Sequence, residues 1–451
     1  MQQIIRIAWF VFIVCFSVPF ISGQTTKDES AKNEDFIEKF YGLPDVPDCN
    51  ETQTSGCIKN ALENGTCIQC NLKNAVLSNA KLSGATLQKS NLSGANLEGA
   101  ELNQVQLTNA ILLGANLKYA ALSASNLAAA NLGQANLQGA VLNNADLQNA
   151  NLSNANLQDV KSKDSNWKGA IVENSDLTGI DLHGANLERV NLTNTSLHGA
   201  NLSGVKGISA KLISADLTQT NLANSNFYKA SFKDAILTGA IINSARIILA
   251  DFSNADLTSV KFINADLQKS NFTNANLRKA NLQGANLKEA ILRGANLTEI
   301  NLKNANLEGV VFYEANLIGA NLEGVNFENA DLSKAKLTGA NLERANLKNA
   351  NLQRSKLIGA NLFNTILEKA TLTLADPREA NFSRANLSGA NLKSARLSGA
   401  NFTFANLSEA NLFGANIQDA VFTEANLEGA IWTDGQICQA GSIGKCIRNE
   451  P

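Results

Sequence analysis

Ala95-Asn96-Leu97-Glu98-Gly99 is one phrase, and Ala405-Asn406-Leu407-Ser408-Glu409 is the same phrase in the same frame. The pentad runs without insertion or deletion from about Cys70 to Trp432. A sustained period of five fits neither the three-and-four spacing of an amphipathic helix nor the alternation of a strand. The chain must therefore turn a corner in every pentad. Fixed short repeats build solenoids, in which each unit packs on its neighbours. With the central Leu or Phe called i, the small residue at i−2 lets backbones approach the axis and the residue at i fills it. Asn, Asp and Gly at the other positions supply turn chemistry.

The phrase resembles that of the pentapeptide-repeat family, over most of the chain. The resemblance implies an all-β fold, a right-handed quadrilateral β-helix with one pentad per side and four per coil. In that fold i and i−2 point inward while i−1, i+1 and i+2 face solvent. A second period supports four pentads per coil: Phe232, Phe252 and Phe272 step by 20 residues, as do Phe382, Phe402 and Phe422, and each series should stack on one side. The Asn column at i−1 is expected to form side-chain ladders between coils. About 18 coils at roughly 4.8 Å each would span on the order of 85 Å.

A lone pentad cannot hold itself together. Burying its Leu contributes ~1.5 to 3 kcal/mol, whereas ordering its residues costs ~1.5 kcal/mol each. Stacking must supply the rest, and the terminal coils, being open sheet edges, call for caps.

The N-terminus reads as an export signal. Arg6 precedes an apolar run from Ile7 to Phe20, and Ser22-Gly23 offers a cleavage point before the polar stretch that starts at Gln24. The run is shorter than the ~20 apolar residues of a membrane-spanning helix, and Val14 disfavours lipid modification of Cys15. Signal removal leaves Cys49, Cys57, Cys67, Cys70, Cys438 and Cys446, all near the two ends of the repeat array. In an exported chain they read as cap disulfides. Cys438 and Cys446 flank a short Gly-containing turn and are expected to pair; three arrangements remain open for the other four. Cys67-Ile68-Gln69-Cys70 alone could be a redox pair, but no βαβ pattern accompanies it.

The expected organisation is a signal over 1–23, a charged arm over 24–48, an N-terminal cap with a short helix over 49–69, the solenoid over 70–434 and a C-terminal cap over 435–451. Ile58, Ala61 and Leu62 would form the apolar face of the cap helix. The segments Ala61–Leu72 and Ile431–Cys446 resemble the caps of secreted pentapeptide-repeat proteins of photosynthetic bacteria. That resemblance implies periplasm or thylakoid lumen, with the extracellular space as the alternative.

Catalytic chemistry has little to stand on. The two histidines, His183 and His198, fall at i+1 on different expected sides, which supports neither a metal cluster nor a Ser/His/Asp arrangement. Carboxylates are interspersed with Lys and Arg, and no Gly-rich phosphate loop occurs. Asn-Leu-Ser/Thr triplets match a glycosylation sequon as by-products of the repeat. No catalytic, cofactor or metal residue is assigned, no nucleic-acid partner is expected, and no membrane span should remain after signal removal.

Some members of the family are DNA mimics that occupy a topoisomerase, a use that needs a strongly acidic face. Here the formal net charge is −2 and the signs are mixed, as at Lys288/Glu289 and Glu343/Arg344. The expected function is a secreted, nonenzymatic structural or protein-interaction scaffold with an unidentified macromolecular partner; the mimic is the alternative. Irregular slots at Ser162, Trp167, Gly207 and Pro377 read as local volume compensation and a bulge. The candidate contact face is an i+1 column stepping by 20: Thr178, His198, Thr218, Thr238, Thr258, Arg278, Thr298, Ile318, Thr338 and Ile358, with Asp176, Asp216 and Asp256 beside it. β-propensity alone could also produce it.

Overall fold

The computed structural model describes residues 65–448. They form two units, divided between Ile180 and Asp181. In both, residue n forms a parallel bridge with residue n+20, from Thr66↔Thr86 to Asn156↔Asp176 in the first unit and from Asp181↔Asn201 to Asn411↔Ile431 in the second. Four pentads therefore make one coil, and no helix forms among the described residues. The signal, the charged arm and the expected cap helix with Ile58, Ala61 and Leu62 lie outside the described residues. The pentad frame already runs through Thr66 and Cys67, one pentad ahead of the expected start at Cys70.

Every backbone N–H of a typical pentad finds an acceptor, and this accounting explains the repeat phrase. The amide of Leu97 (i) donates to the Asn116 carbonyl of the next coil at 2.7 Å, and that of Gly99 (i+2) to the Lys118 carbonyl at 2.8 Å. Asn116 (i−1) donates back to Ala95 at 2.9 Å, while Ala100 (i−2) closes the corner onto the Leu97 carbonyl at 3.0 Å. The i+1 amide is left over, and a side chain takes it. Asn116 Oδ1 accepts from Lys118 N–H at 3.2 Å, and Asn91 Oδ1 from Ser93 N–H at 3.0 Å. Asn or Asp at i−1 thus completes the turn that the backbone alone leaves open.

The amide nitrogen of the same Asn ties adjacent coils. Asn346 Nδ2 donates to Asn326 Oδ1 at 3.0 Å, and Asn326 in turn to Asn306 and Asn306 to Asn286, forming the expected ladder. At i+2 the backbone is left-handed in regular pentads, with φ of 58° at Asn74, 65° at Gly94 and 57° at Tyr119. Gly, Asn and unbranched side chains tolerate this region; β-branched ones do not. No Val, Ile, Thr or Pro occupies i+2 between Gln69 and Gly429.

Side chains at i and i−2 fill the interior, with Leu97, Ala100 and Leu102 at 1% exposure or less. Both expected aromatic columns form in the second unit. Phe232, Phe252 and Phe272 stack at centroid distances of 4.7 and 4.9 Å, and Phe382, Phe402 and Phe422 at 4.9 and 5.0 Å. Hydroxyls at i−2 stay inside because backbone carbonyls receive them, as Ser90 Oγ reaches Cys67 O at 2.8 Å and Thr220 Oγ1 reaches Leu197 O at 2.8 Å.

At the C-terminal end the chain reverses and pairs antiparallel with the last coil, Asn426 with Ile443 and Ile431 with Ile437. Leu427 N–H donates to Ser442 O and Gly444 N–H to Ala425 O, both at 2.9 Å. This covers an edge that would otherwise be open to other strands. Ile417 and Phe422 in the last coil are half-buried, and Phe422 packs edge-on against Trp432 at 5.4 Å.

Candidate functional site

The residues of the candidate contact face divide between the units: Thr178 lies in the first, and Thr218, Thr238, Thr258, Thr298 and Thr338 in the second, all half-buried. Their hydroxyls largely face their own pentads. Thr178 Oγ1 donates to Asp176 Oδ1 at 2.6 Å and Thr298 Oγ1 to Asn296 Oδ1 at 2.7 Å, while Thr258 Oγ1 donates to Asp256 Oδ1. Asn276 and Asn316 then donate to Thr258 and Thr298 Oγ1 at 2.8 and 3.1 Å. With these hydroxyls engaged, the column is less a hydroxyl surface than the sequence suggests.

Asp176 shows the electrostatics of the motif. Burial pushes its carboxyl up, but the Thr178 hydroxyl and amide and the Gln158 side chain together hold it below the usual carboxylate range. His183 Nδ1 lies 2.8 Å from Ser203 Oγ on the outer surface. Opposite charges stack one coil apart: Lys288 with Glu308 and Lys303 with Glu323, both at 2.9 Å, and Lys348 with Glu368 at 3.4 Å. These pairs spread charge of both signs along the second unit. Among the described residues no group of His, Cys, Asp and Glu could hold a metal ion.

Both ends carry a disulfide. Cys438 is joined to Cys446 as expected, and Cys67 to Cys70, with Cα separations of 5.0 and 5.7 Å. Cys67 and Cys70 occupy the inward i and i−2 slots of neighbouring pentads and are each 3% exposed. Cys49 and Cys57 lie outside the described residues.

The irregular slots are volume exchanges. Trp167 fills the space that Ser162 leaves, and its Nε1 donates to Ser165 Oγ at 2.8 Å and Ser162 Oγ at 3.1 Å. Gly207 is likewise matched by Phe227 one coil later. Pro377 has no N–H for the carbonyl of Arg396. Around it Asp376 joins Arg378 at 2.7 Å and Arg396 at 3.7 Å, linking the coils by side chains instead. The surface aromatics Tyr119, Tyr228, Tyr313 and Phe404 each lie under a Lys or Arg, as Tyr313 does under Arg293 at 4.9 Å and Lys334 at 4.7 Å.

The family described as pentapeptide repeats (8 copies) matches residues 62–94, 90–127, 125–161, 170–206, 208–246, 250–288, 290–329, 326–364, 360–399 and 395–431. The chain belongs to the pentapeptide-repeat family. Between residues 62 and 431 the matched segments omit 162–169, 207, 247–249 and 289; the first two gaps hold the Ser162/Trp167 and Gly207 exchanges. Among solved structures, the chain is similar to HetL of the cyanobacterium Nostoc sp. strain PCC 7120, a pentapeptide-repeat protein involved in heterocyst differentiation regulation. Identity is 34% over 56% of this chain and 91% of HetL, with a TM-score of 0.28. A pentapeptide-repeat protein of the Arabidopsis thaliana thylakoid lumen is 29% identical over 26% of this chain and 72% of its own, with a TM-score of 0.13. QnrB1, a plasmid-mediated fluoroquinolone resistance protein, is 20% identical over 40% of this chain and 89% of its own, with a TM-score of 0.24. No curated protein sequence matches.

Proposed function

We propose that the protein is an exported, nonenzymatic scaffold that binds a macromolecular partner through its outer side-chain columns. One observation carries this reading: inward slots are filled, and the irregular ones at Ser162 and Gly207 are filled by Trp167 and Phe227. The interior leaves chemistry little room, whereas the exterior repeats in register every 20 residues. The reading takes four pentads per coil as the four sides of a right-handed quadrilateral β-helix. Export is supported by the apolar run from Ile7 to Phe20 and by two disulfides, which persist in oxidising compartments; periplasm or thylakoid lumen suits both.

The alternative, a topoisomerase-binding DNA mimic, needs a continuous acidic face. The Lys–Glu stacking of the second unit weighs against it. Affinity capture from an exported fraction tests the scaffold. Charge substitutions at Thr218, Thr258 and Thr298 should leave the fold intact and abolish capture if the Thr column is the contact face. Undiminished capture by those variants would remove that column from the proposal. Recovery of the mature chain in the cytoplasm with residues 1–23 intact would favour the mimic.

A further inference from the structure

The first two pentads of three consecutive coils, 201–210, 221–230 and 241–250, contain no carboxylate. The bridges Lys206↔Asn226 and Asn226↔Arg246 set the second pentads of these coils side by side. Their outward positions hold the cations Lys206, Lys229 and Arg246 and the aliphatic Ile208, Ile248 and Leu249, with Tyr228 among them. Lys229 Nζ lies 5.3 Å and Arg246 Cζ 5.4 Å from the centre of the Tyr228 ring. One ring thus holds two cations, and among the described residues neither joins a carboxylate, whereas Lys206 pairs with Glu188 at 3.3 Å. Asp266, the next bridge partner of Arg246, accepts from Gln268 and Asn286, at 2.9 and 3.4 Å.

Tyr313 offers a comparison within the same unit. It too lies under two cations, Arg293 and Lys334, but there Glu314 accepts from Lys334 at 3.0 Å and neutralises it. At Tyr228 the carboxylate is missing, and aliphatic side chains take the adjoining outward positions. Ile248 and Leu249 stand one coil beyond Tyr228 and Lys229, and Ile208 one coil before Tyr228. Leu249 is 40% exposed, and Ile241, in the pentad before Arg246, 37%.

We propose that this patch docks the chain on an anionic lipid surface. Cations without acidic partners select a negatively charged occupant. The aliphatic residues interspersed with them call for an apolar layer just beneath that charge, which a lipid leaflet supplies and a soluble polyanion does not. On such a surface Lys206, Lys229 and Arg246 meet phosphate oxygens, while Ile248 and Leu249 enter the acyl boundary. Tyr228, with an apolar ring and a polar tip, suits the zone between. A formal net charge of −2 gives the chain no general attraction to anionic lipid, so the attraction is local to the patch. It depends neither on the Thr218, Thr258 and Thr298 contact face nor on export, so either proposal can fail alone.

The test co-sediments the full chain with phosphatidylcholine vesicles and with the same vesicles containing phosphatidylglycerol, and titrates it with poly-glutamate peptide. Each cation near a lipid surface is worth about fivefold in affinity. The wild-type chain should bind the anionic vesicles at least about fivefold more tightly than the neutral ones, and more weakly as salt is added. Lys229→Asn/Arg246→Asn installs residues that the repeat already uses at both positions and should bind at least about tenfold more weakly. Leu249→Asn leaves the charge unchanged and should bind about threefold more weakly. Arg293→Asn/Lys334→Asn makes the same change of charge at Tyr313 and should bind as wild type; residues 1–64 are common to all these chains. No preference for anionic vesicles, undiminished binding by the Lys229/Arg246 variant, or an equal loss in the Arg293/Lys334 variant would each overturn the proposal. Undiminished vesicle binding by Leu249→Asn, or poly-glutamate bound as tightly as the anionic vesicles, would assign the patch to an acidic protein and overturn it as well.

Discussion

Phe227 occupies the volume that a side chain at Gly207 would need: a Cβ added at Gly207 would lie 2.2 Å from Phe227 Cε1. The two residues belong to consecutive coils in the same inward column, so the core keeps its volume by trading it 20 residues away. Gly207→Leu should therefore overpack and cost about 1 to 3 kcal/mol. Adding Phe227→Ala to that variant should recover part of the loss, a coupling that a double-mutant cycle of thermal or denaturant unfolding measures. Additive effects would show that the residues do not share one space.

The Phe382–Phe402–Phe422 stack makes Phe402 the middle ring of three. Phe402→Ala should open a cavity and cost ~3 to 5 kcal/mol. In a solenoid the damage should stay near its site. Hydrogen exchange should rise between residues 382 and 422 and remain unchanged near Phe252; unchanged protection at 382–422 would contradict burial of the column.

Gly114 has φ of +64° and open space around its would-be Cβ, so it isolates the backbone requirement at i+2. Gly114→Asn should be nearly neutral, whereas Gly114→Val should lose about 1 to 2 kcal/mol from left-handed strain. Equal stability of the two variants in a melt would refute a conformational origin for the missing β-branched residues.

Nonreducing peptide mapping should recover Cys67–Cys70 and Cys438–Cys446, with Cys49 and Cys57 expected as the remaining pair. Reduction should speed amide exchange at Leu427 and Gly429, whose hydrogen bonds to Ser442 and Cys438 hold the C-terminal cap in place. A free thiol at Cys438 in freshly isolated protein would contradict the cap.

Asp176 should contribute to acid sensitivity. Its folded carboxyl titrates below the ordinary value, so its stabilisation is present above the unfolded pKa, about 3.9, and is lost as pH falls through the lower folded value. Asp176→Asn should be less stable than wild type near neutrality, and the difference should shrink below about pH 4. A difference that persists unchanged in acid would assign the effect to packing.

The parts of the fold legible in the sequence are those that the period determines. A step of 20 places Phe232 over Phe252 and Asn326 under Asn346, and both contacts form. The left-handed corner left a subtler sign, the absence of Val, Ile, Thr and Pro at i+2, which becomes meaningful once φ is seen. The duty of Asn at i−1 toward the i+1 amide was hidden because the phrase names residues, not the direction of their bonds. The same bonds turn Thr258 and Thr298 onto their neighbours. The antiparallel return of 437–444 lies beyond the repeat, where no earlier coil serves as a template.

Pairing each residue with the one 20 positions away makes the coil a unit that duplication can add or remove whole. Inserting 20 residues within a unit would lengthen each column by one step and leave old neighbours in register. Inserting five would move the downstream columns round to the next side, setting aromatic stacks and Asn ladders out of line. A single inserted residue would place polar groups in inward slots. Lineages of such chains should therefore differ in length by multiples of 20, and departures should gather where a local exchange such as Trp167 for Ser162 already tolerates irregularity.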